Sequence, residues 1–350
     1  MANMAQAIRM ALHYAEKNLD LKDVFGQDVG EPLGGVFTAT QGLSTSWNTP
    51  LDERGIISTA IGLALAGDRA VAEIQFCDYI FNTIDLLKYA GNLPWSCNGN
   101  YQLPMVVMTP VGAGIRGSIY HSHSFDAWAT RLAGWKVVMP STPLDAYGML
   151  LSAIQDPNPV LFLKPKALMR VKGEELIPGE PADERELKNR IDAPLGDRTK
   201  WKPKWPELGE FIVPFGKAKV IQEGTDVTIV TYGRHVGLAK EAIDKIKDEC
   251  SVELIDLRSL YPYDWQAIKE SVLKTKRVIF LNEDTEVTNF GEHLAYRTAQ
   301  ELFYHIYAPP KVLAGKNLPG IGLHASLEES SVPQVEDIVH AVRELLTQEP

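Results

Sequence analysis

The sequence predicts an α/β protein in two domains, each a parallel sheet covered by helices. Three observations predict it. Short apolar runs rich in Val, Ile and Phe alternate with helical patterns along the chain, as in strands joined by crossover helices. The chain has 350 residues, enough for two domains with a core each. Between its halves, Val171 to Pro206 turns rich in charge, Gly and Pro, which marks a boundary.

The first stretch, "MANMAQAIRMALHYAEKNLD", reads as an amphipathic helix with Met4, Ile8, Ala11, Leu12 and Ala15 on one side. It lacks the continuous apolar core and small-residue cleavage site of a secretory signal. Strands follow at "AVAEIQF", "PMVVMTP", "WKVVMP" and "PVLFLKP", with helices at "DAWATRLAG" and "PLDAYGMLLSAIQ". In the second half the strands are "DVTIVTYG", "VELIDLR", "RVIFLNED" and "PKVLAG". The helices there are "GLAKEAIDKIKDE", "DWQAIKESVLKT", "GEHLAYRTAQELF" and "VEDIVHAVRELLTQ". The middle segment holds one short helix, "ADERELKNRI", within an ordered linker or surface arm. The expected division is therefore residues 1–170, an arm over 171–209, and residues 210–350. Ligands of parallel sheets sit at the carboxyl ends of the strands. The loops after "AEIQF" and "VVMTP" are the places to look.

A formal charge of -10 argues against broad nucleic-acid binding, which needs a basic surface. Cys77, Cys97 and Cys250 are odd in number and far apart. They form neither a metal spacing nor a disulfide framework, so a reducing cytoplasm is expected. No apolar run approaches the roughly 20 residues that span a bilayer.

The loop "TPVGAGIRGSIYHSHS" places Gly112, Gly114 and Gly117 in a G-x-G-x-x-G spacing. A dinucleotide fingerprint also needs a helix opened by the glycines and an acid ending the next strand. Neither is present: Ile119 to Ser122 carry no helical stripe, and "WKVVMPSTP" ends in Pro140, Ser141 and Thr142. The better reading is a close-packed loop that presents His121 and His123. Histidine suits proton transfer near neutral pH; taken alone, both are equally ordinary hydrogen-bonded loop residues. Asp52 and Glu53 begin a helix rich in small and apolar residues. One acid suffices for the cap and dipole, which leaves the second for other work. Tyr79 and Phe81, after "AEIQF", suit either a core or a face for a flat heterocycle.

Together "PLGGVF", "NTPLDERGI", "AEIQFCDYIF", "RGSIYHSHSFDAW", "VTIVTYG", "DLRSLYPYDW" and "NEDTEVTNFGEH" resemble, in order, the β subunit of the decarboxylating component of 2-oxo acid dehydrogenase complexes. That family lies within the transketolase-like group, and the resemblance covers nearly the whole chain. It implies a thiamine-diphosphate-binding, transketolase-like pyrimidine-binding domain with a parallel sheet, followed by a transketolase C-terminal-like α/β domain. It also implies an α2β2 tetramer. The β chain holds the aminopyrimidine end of thiamine diphosphate, and the α chain holds the diphosphate through magnesium with a G-D-G…N motif. No G-D-G occurs here; the nearest strings are "GDR" at Gly67 and Gly196.

Under the resemblance Glu53 matches the glutamate that exchanges a proton with the pyrimidine ring. Tyr79 matches the aromatic on the ring face, with Leu51 close by. His121 matches the histidine that supplies protons during acyl transfer to lipoamide. The segment "AIQDPNP" resembles a potassium site built from main-chain carbonyls of Ala153, Asp156 and Asn158, with Leu103, Met105 and Val106 from the preceding strand. Such a site needs no particular side chain. Three departures stand out: His123 for a usual glutamine, Asn282 for a common histidine, and a long 171–206 arm. The implied activity is decarboxylation of a 2-oxo acid, branched-chain in preference to pyruvate, with the acyl group passed to a lipoyl acyltransferase. The C-terminal domain is expected to contact a second β chain and that acyltransferase. The rivals are a non-catalytic scaffold subunit and a nicotinamide dehydrogenase.

Overall fold

A computed structural model describes residues 1–194, 196 and 201–348. The string at Gly196 therefore lies partly outside the described residues. The chain divides into two compact units, Met1–Pro110 with Leu132–Phe215, and Val111–Arg131 with Gly216–Pro350.

The first unit opens with α1 (Met4–Asn18), whose capping box joins Asn3 and Gln6 reciprocally. Residues 4–12 are all buried, so the helix is covered all round, not along one stripe. Helix α5 packs on it, and the charge-rich segment after residue 171 supplies further cover. Arg9 donates to the Ile191 carbonyl at 2.5 Å and to Asp192 at 2.9 Å. Leu187 and Ile191 are fully buried in the same core, with Trp205, Leu208 and Phe211 packed against it.

Along the chain follow β1 (Leu21–Gly26), β2 (Ser46–Asn48), α2 (Glu53–Ala66), β3 (Arg69–Glu73), α3 (Ile84–Ser96) and β4 (Met105–Val111). The next segment, carrying the short helix α4 (Asp126–Thr130), belongs to the second unit. The first unit resumes with β5 (Lys136–Val138), α5 (Pro143–Gln155), β6 (Val160–Pro165) and α6 (Glu184–Ile191). Within it the strand order is β5-β6-β4-β3-β1-β2. The β1–β2, β1–β3, β3–β4 and β5–β6 pairs are parallel. Strands β4 and β6 are buried at every residue, as expected for a sheet covered on both faces.

The second unit contains β7 (Lys219–Gln222), β8 (Val227–Thr231), α7 (Arg234–Ile246), β9 (Val252–Asp256) and β10 (Ser259–Tyr261). Then come α8 (Trp265–Thr275), β11 (Val278–Thr285), α9 (Phe290–Leu302), β12 (Lys311–Gly315), α10 (Ala325–Ser331) and α11 (Val335–Leu346). Its sheet runs β12-β11-β8-β9-β7, parallel except for the antiparallel edge strand β7. Helices α7 and α11 share one core beneath it. Among the described residues no helix is long and apolar enough to cross a membrane.

Candidate active site

Glu53 is the first residue of α2, reached through Thr49, Pro50 and Leu51. Asp52 takes the N-cap position without a side-chain cap bond. Glu53 then lies in the first turn, where the helix dipole favours a carboxylate. It is half-buried, and its Oε2 accepts from Asn82 Nδ2 at 3.2 Å. Leu51 is 70% exposed.

Helix α2 packs against the turn of residues 77–83 that follows β3, so Glu53 and Tyr79 come into one neighbourhood. Burial, then Asp78 and Glu53, raise the Tyr79 phenol above its ordinary range. Tyr79 is half-buried and meets Phe76 edge-on at 5.9 Å, while Phe81 is 40% exposed. These aromatics thus lie at the carboxyl end of a parallel strand without being core. Arg54 fastens the arrangement. It donates to both Asp85 oxygens, at 2.6 and 2.8 Å, and to the Asn82 carbonyl at 2.8 Å. The hydrogen bond from Arg54 pulls Asp85 down to about 2.

Behind this site lies an ion pair that the sequence reading missed. Glu73, the last residue of β3, meets Lys164 of β6, and both side chains are fully buried. Glu73 also accepts from the Val36 N–H at 2.8 Å. A charged residue ending an otherwise apolar strand, in "AVAE" and again in "VLFLK", is the signal that would have found it.

His121 and His123 lie in the Val111–Arg131 segment, part of the second unit. His121 follows a single turn, Ser118–Tyr120, and its Nδ1 lies 3.2 Å from the Gly117 carbonyl. A proton on Nδ1 makes that contact a hydrogen bond. His123 sits beside Phe125, ring centres 5.7 Å apart, and its carbonyl accepts from the Gly112 N–H at 2.9 Å. Two of the glycines now have a physical reason. A Cβ on Gly117 would lie 2.7 Å from the His121 Cβ. A Cβ on Gly112, whose φ is +85°, would lie 2.2 Å from Glu283 Oε1. Gly112→Ala combines that clash with a left-handed backbone. It is expected to cost about 1 kcal/mol or more, read as a lower melting temperature and weaker amide protection over residues 111–131.

The loop's outer supports are also acids that sequence reasoning did not single out. Glu283 accepts from the Ala113 N–H at 2.8 Å, Asp284 from the Ala127 N–H at 3.0 Å, and Glu328 from the Arg116 N–H at 2.8 Å. Asn282, the residue in place of a common histidine, is buried and pairs with Asn289 through two amide bonds of 2.7 and 2.9 Å.

The two segments of the expected potassium site come together in the first unit, where the Leu103 N–H donates to the Pro157 carbonyl at 2.8 Å. The Leu103 carbonyl accepts from Met105 at 2.8 Å and the Ala153 carbonyl from Asp156 at 3.3 Å. Met105 and Val106 stand within β4, paired to Ala70 and Val71. The Asp156 carboxylate holds Lys136 and accepts from the Asn158 N–H at 3.0 Å. Arg69 donates to the neighbouring Ile154 carbonyl. The Leu103 and Ala153 carbonyls are thus already used by backbone donors, and two cationic side chains, Lys136 and Arg69, stand beside the segment. Among the described residues no group of three or more His, Cys, Asp or Glu side chains could hold a metal.

Comparison with known proteins gives a consistent result. Residues 1–172 match the transketolase pyrimidine binding domain and residues 216–338 the transketolase C-terminal domain. The chain is 35% identical over 331 residues to 2-oxoisovalerate dehydrogenase subunit beta of Bacillus subtilis (strain 168), covering 92% of this chain and 91% of that one. It is 34% identical to 2-oxoisovalerate dehydrogenase subunit beta 2, mitochondrial, of Arabidopsis thaliana, covering 97% and 88%. It is 33% identical to the pyruvate dehydrogenase E1 component subunit beta of Acholeplasma laidlawii, covering 99% and 98%. Among solved structures it resembles a split-gene transketolase, described as an inactive beta4 tetramer, with a TM-score of 0.71 at 18% identity, covering 99% and 98%. That likeness concerns the fold. The chain belongs to the family of 2-oxo acid dehydrogenase β subunits, built from transketolase pyrimidine-binding and C-terminal domains.

Proposed function

We propose that this chain is the β subunit of a thiamine-diphosphate-dependent 2-oxo acid dehydrogenase, which decarboxylates a 2-oxo acid and transfers the acyl group to lipoamide. The observation that carries this reading is the Glu53 carboxylate, held by Asn82 at the start of α2 beside the half-buried Tyr79. This donor set fits an aminopyrimidine. A carboxyl can share a proton with a ring nitrogen, and an aromatic side chain can cover a flat heterocycle. When bound, the cofactor supplies the electron sink for loss of carbon dioxide.

The chain's own residues then have definite tasks. Glu53 holds or releases a proton at its carboxyl toward the pyrimidine end. Tyr79 packs on the ring, and Leu51 offers apolar surface beside it. The His121 imidazole carries protons to and from the substrate during acyl transfer, with His123 as its neighbour. An α chain supplies the diphosphate and magnesium site within an α2β2 tetramer. The C-terminal domain meets a second β chain and the lipoyl acyltransferase. Potassium, held by the carbonyls of Leu103, Met105, Val106, Ala153, Asp156 and Asn158, would brace the far end of α5. The spacing of the three cysteines supports a cytoplasmic location.

Branched-chain 2-oxo acids are the first choice of substrate and pyruvate the second. The named relatives support both, and one methylene in a pocket changes binding by only about 1–3 kcal/mol. The test is to co-express the chain with its α partner and assay decarboxylation of several 2-oxo acids with thiamine diphosphate and magnesium. Activity with branched-chain acids is expected. No activity with any acid leaves the scaffold reading, and activity in the isolated β chain contradicts a shared site.

A further inference from the structure

We propose that Glu283, Asp284 and Glu328 are positioning residues for the Val111–Arg131 segment, each holding one of its backbone N–H groups so that His121 keeps a fixed place. The inference rests on the reading of His121 given above. The three acceptors come from two different elements, the end of β11 and helix α10. They grip the segment at Ala113, Arg116 and Ala127, on both sides of His121. All three carboxylates are buried. The buried Ala113 N–H needs an acceptor, and a carboxylate is a stronger acceptor than a neutral group. The close approach of Glu283 to Gly112 leaves no room for a side chain at that point of the loop.

The surroundings make this grip sensitive to protons. Asp126, within the segment, is fully buried. Its Oδ1 accepts from Ser124 at 2.7 Å, and the Tyr232 hydroxyl is a further hydrogen-bond donor to it. Facing it are Asp284 and Glu283 from β11 and the Tyr232 hydroxyl beyond β8. From α7, Arg234 lies 3.8 Å from Glu283. His235 is buried, and burial holds it near 4, so it adds no cation. From α9, His293 lines a cavity of about 300 Å³ with Tyr263, Arg131 and Ala127; burial and Arg297 lower its pKa as well. Asp126 is thus buried beside Asp284 and Glu283, whose charges disfavour its own. Burial, with Asp284 beside it, pushes Asp126 well above the carboxylate range. Burial raises Asp284 to about 6 against the pull of its N–H donors. A raised folded pKa contributes stability that is present below about 4, the unfolded value, and is lost as pH rises through the folded value. For Asp284 that window closes near pH 6.

Hydrogen exchange on the purified full chain, corrected for intrinsic rates, tests the grip without any cofactor. Glu283→Ala is expected to speed exchange over 111–131 by about tenfold, with β8 and β9 unchanged. Glu283→Gln, which keeps an acceptor, restores most of the protection. Protection of the wild type should fall between pH 5 and 7, and Asp284→Asn should flatten that fall. Unchanged loop exchange in Glu283→Ala overturns the inference. Should that variant unfold, Glu328→Ala decides: unchanged exchange at Arg116 and its neighbours overturns it. In the assembled enzyme, Glu283→Ala should lower kcat more than it raises KM. A loosened loop with wild-type turnover keeps the anchoring and removes His121 from its role.

Discussion

Glu53→Gln, made in the assembled complex, is expected to cut turnover by about 10²- to 10⁴-fold, the usual worth of a positioned acid–base group. The complex with the α partner should still form. Glutamine keeps the length of the side chain, and its oxygen can still accept from Asn82. What it loses is a proton that can be gained and released. The structural cost is small: a first-turn carboxylate contributes about 0.3–1 kcal/mol through the helix dipole. Steady-state decarboxylation, gel filtration and thermal melting on one preparation separate chemistry from folding. Near-normal turnover would remove Glu53 from its assigned role. Loss of that complex would mean that the carboxylate holds α2 in place. Arg54 argues against that outcome, since its paired bonds to Asp85 and the Asn82 carbonyl fix the same end of the helix.

Much of the fold was legible because the central strands of each unit are buried on both faces and read as continuous apolar runs. β6, β8 and β9 fall within the predicted stretches, and β3, β4 and β11 match theirs to within one residue. β1 carries Lys22 and Asp23, β2 has only three residues, and β7 is a half-exposed edge. None of them offers a pattern that sequence periodicity can register. Glu53 and Tyr79 could be singled out because their motifs stand at a helix start and a strand end. Asn82 was not, since a turn asparagine has no local mark, and its bond to Glu53 spans 29 positions. The acids around the histidine loop were missed for a similar reason. The bonds from Glu283 and Glu328 to the loop cross 170 and 212 positions. The charge-rich segment after residue 171 misled in a different way. Its composition suits a surface arm, yet Leu187 and Ile191, four apart on α6, are fully buried in the core.

The second large effect concerns stability. Lys164→Met is expected to destabilise the first unit by about 3–5 kcal/mol, the cost of leaving one charge of a buried pair alone. At about 2–4 °C per kcal/mol for a unit of this size, the melting temperature should fall by roughly 6–20 °C. The penalty arises from Glu73, which keeps its Val36 N–H at 2.8 Å but loses its cation. The pair spans β4, since β3 and β6 flank that strand in the sheet. Losing Lys164 therefore strains the sheet where its carboxyl ends face the Glu53 turn. The double change Glu73→Gln with Lys164→Met removes both charges. It should recover most of the loss, because a buried ion pair replaced by neutral groups of similar volume is often close to neutral in stability. A Lys164→Met protein that melts within a degree or two of wild type would show that the ion pair adds little net stability. In that case the pair serves registry of the Gly35–Val36 turn against the sheet, and Glu73→Ala becomes the damaging substitution of the two.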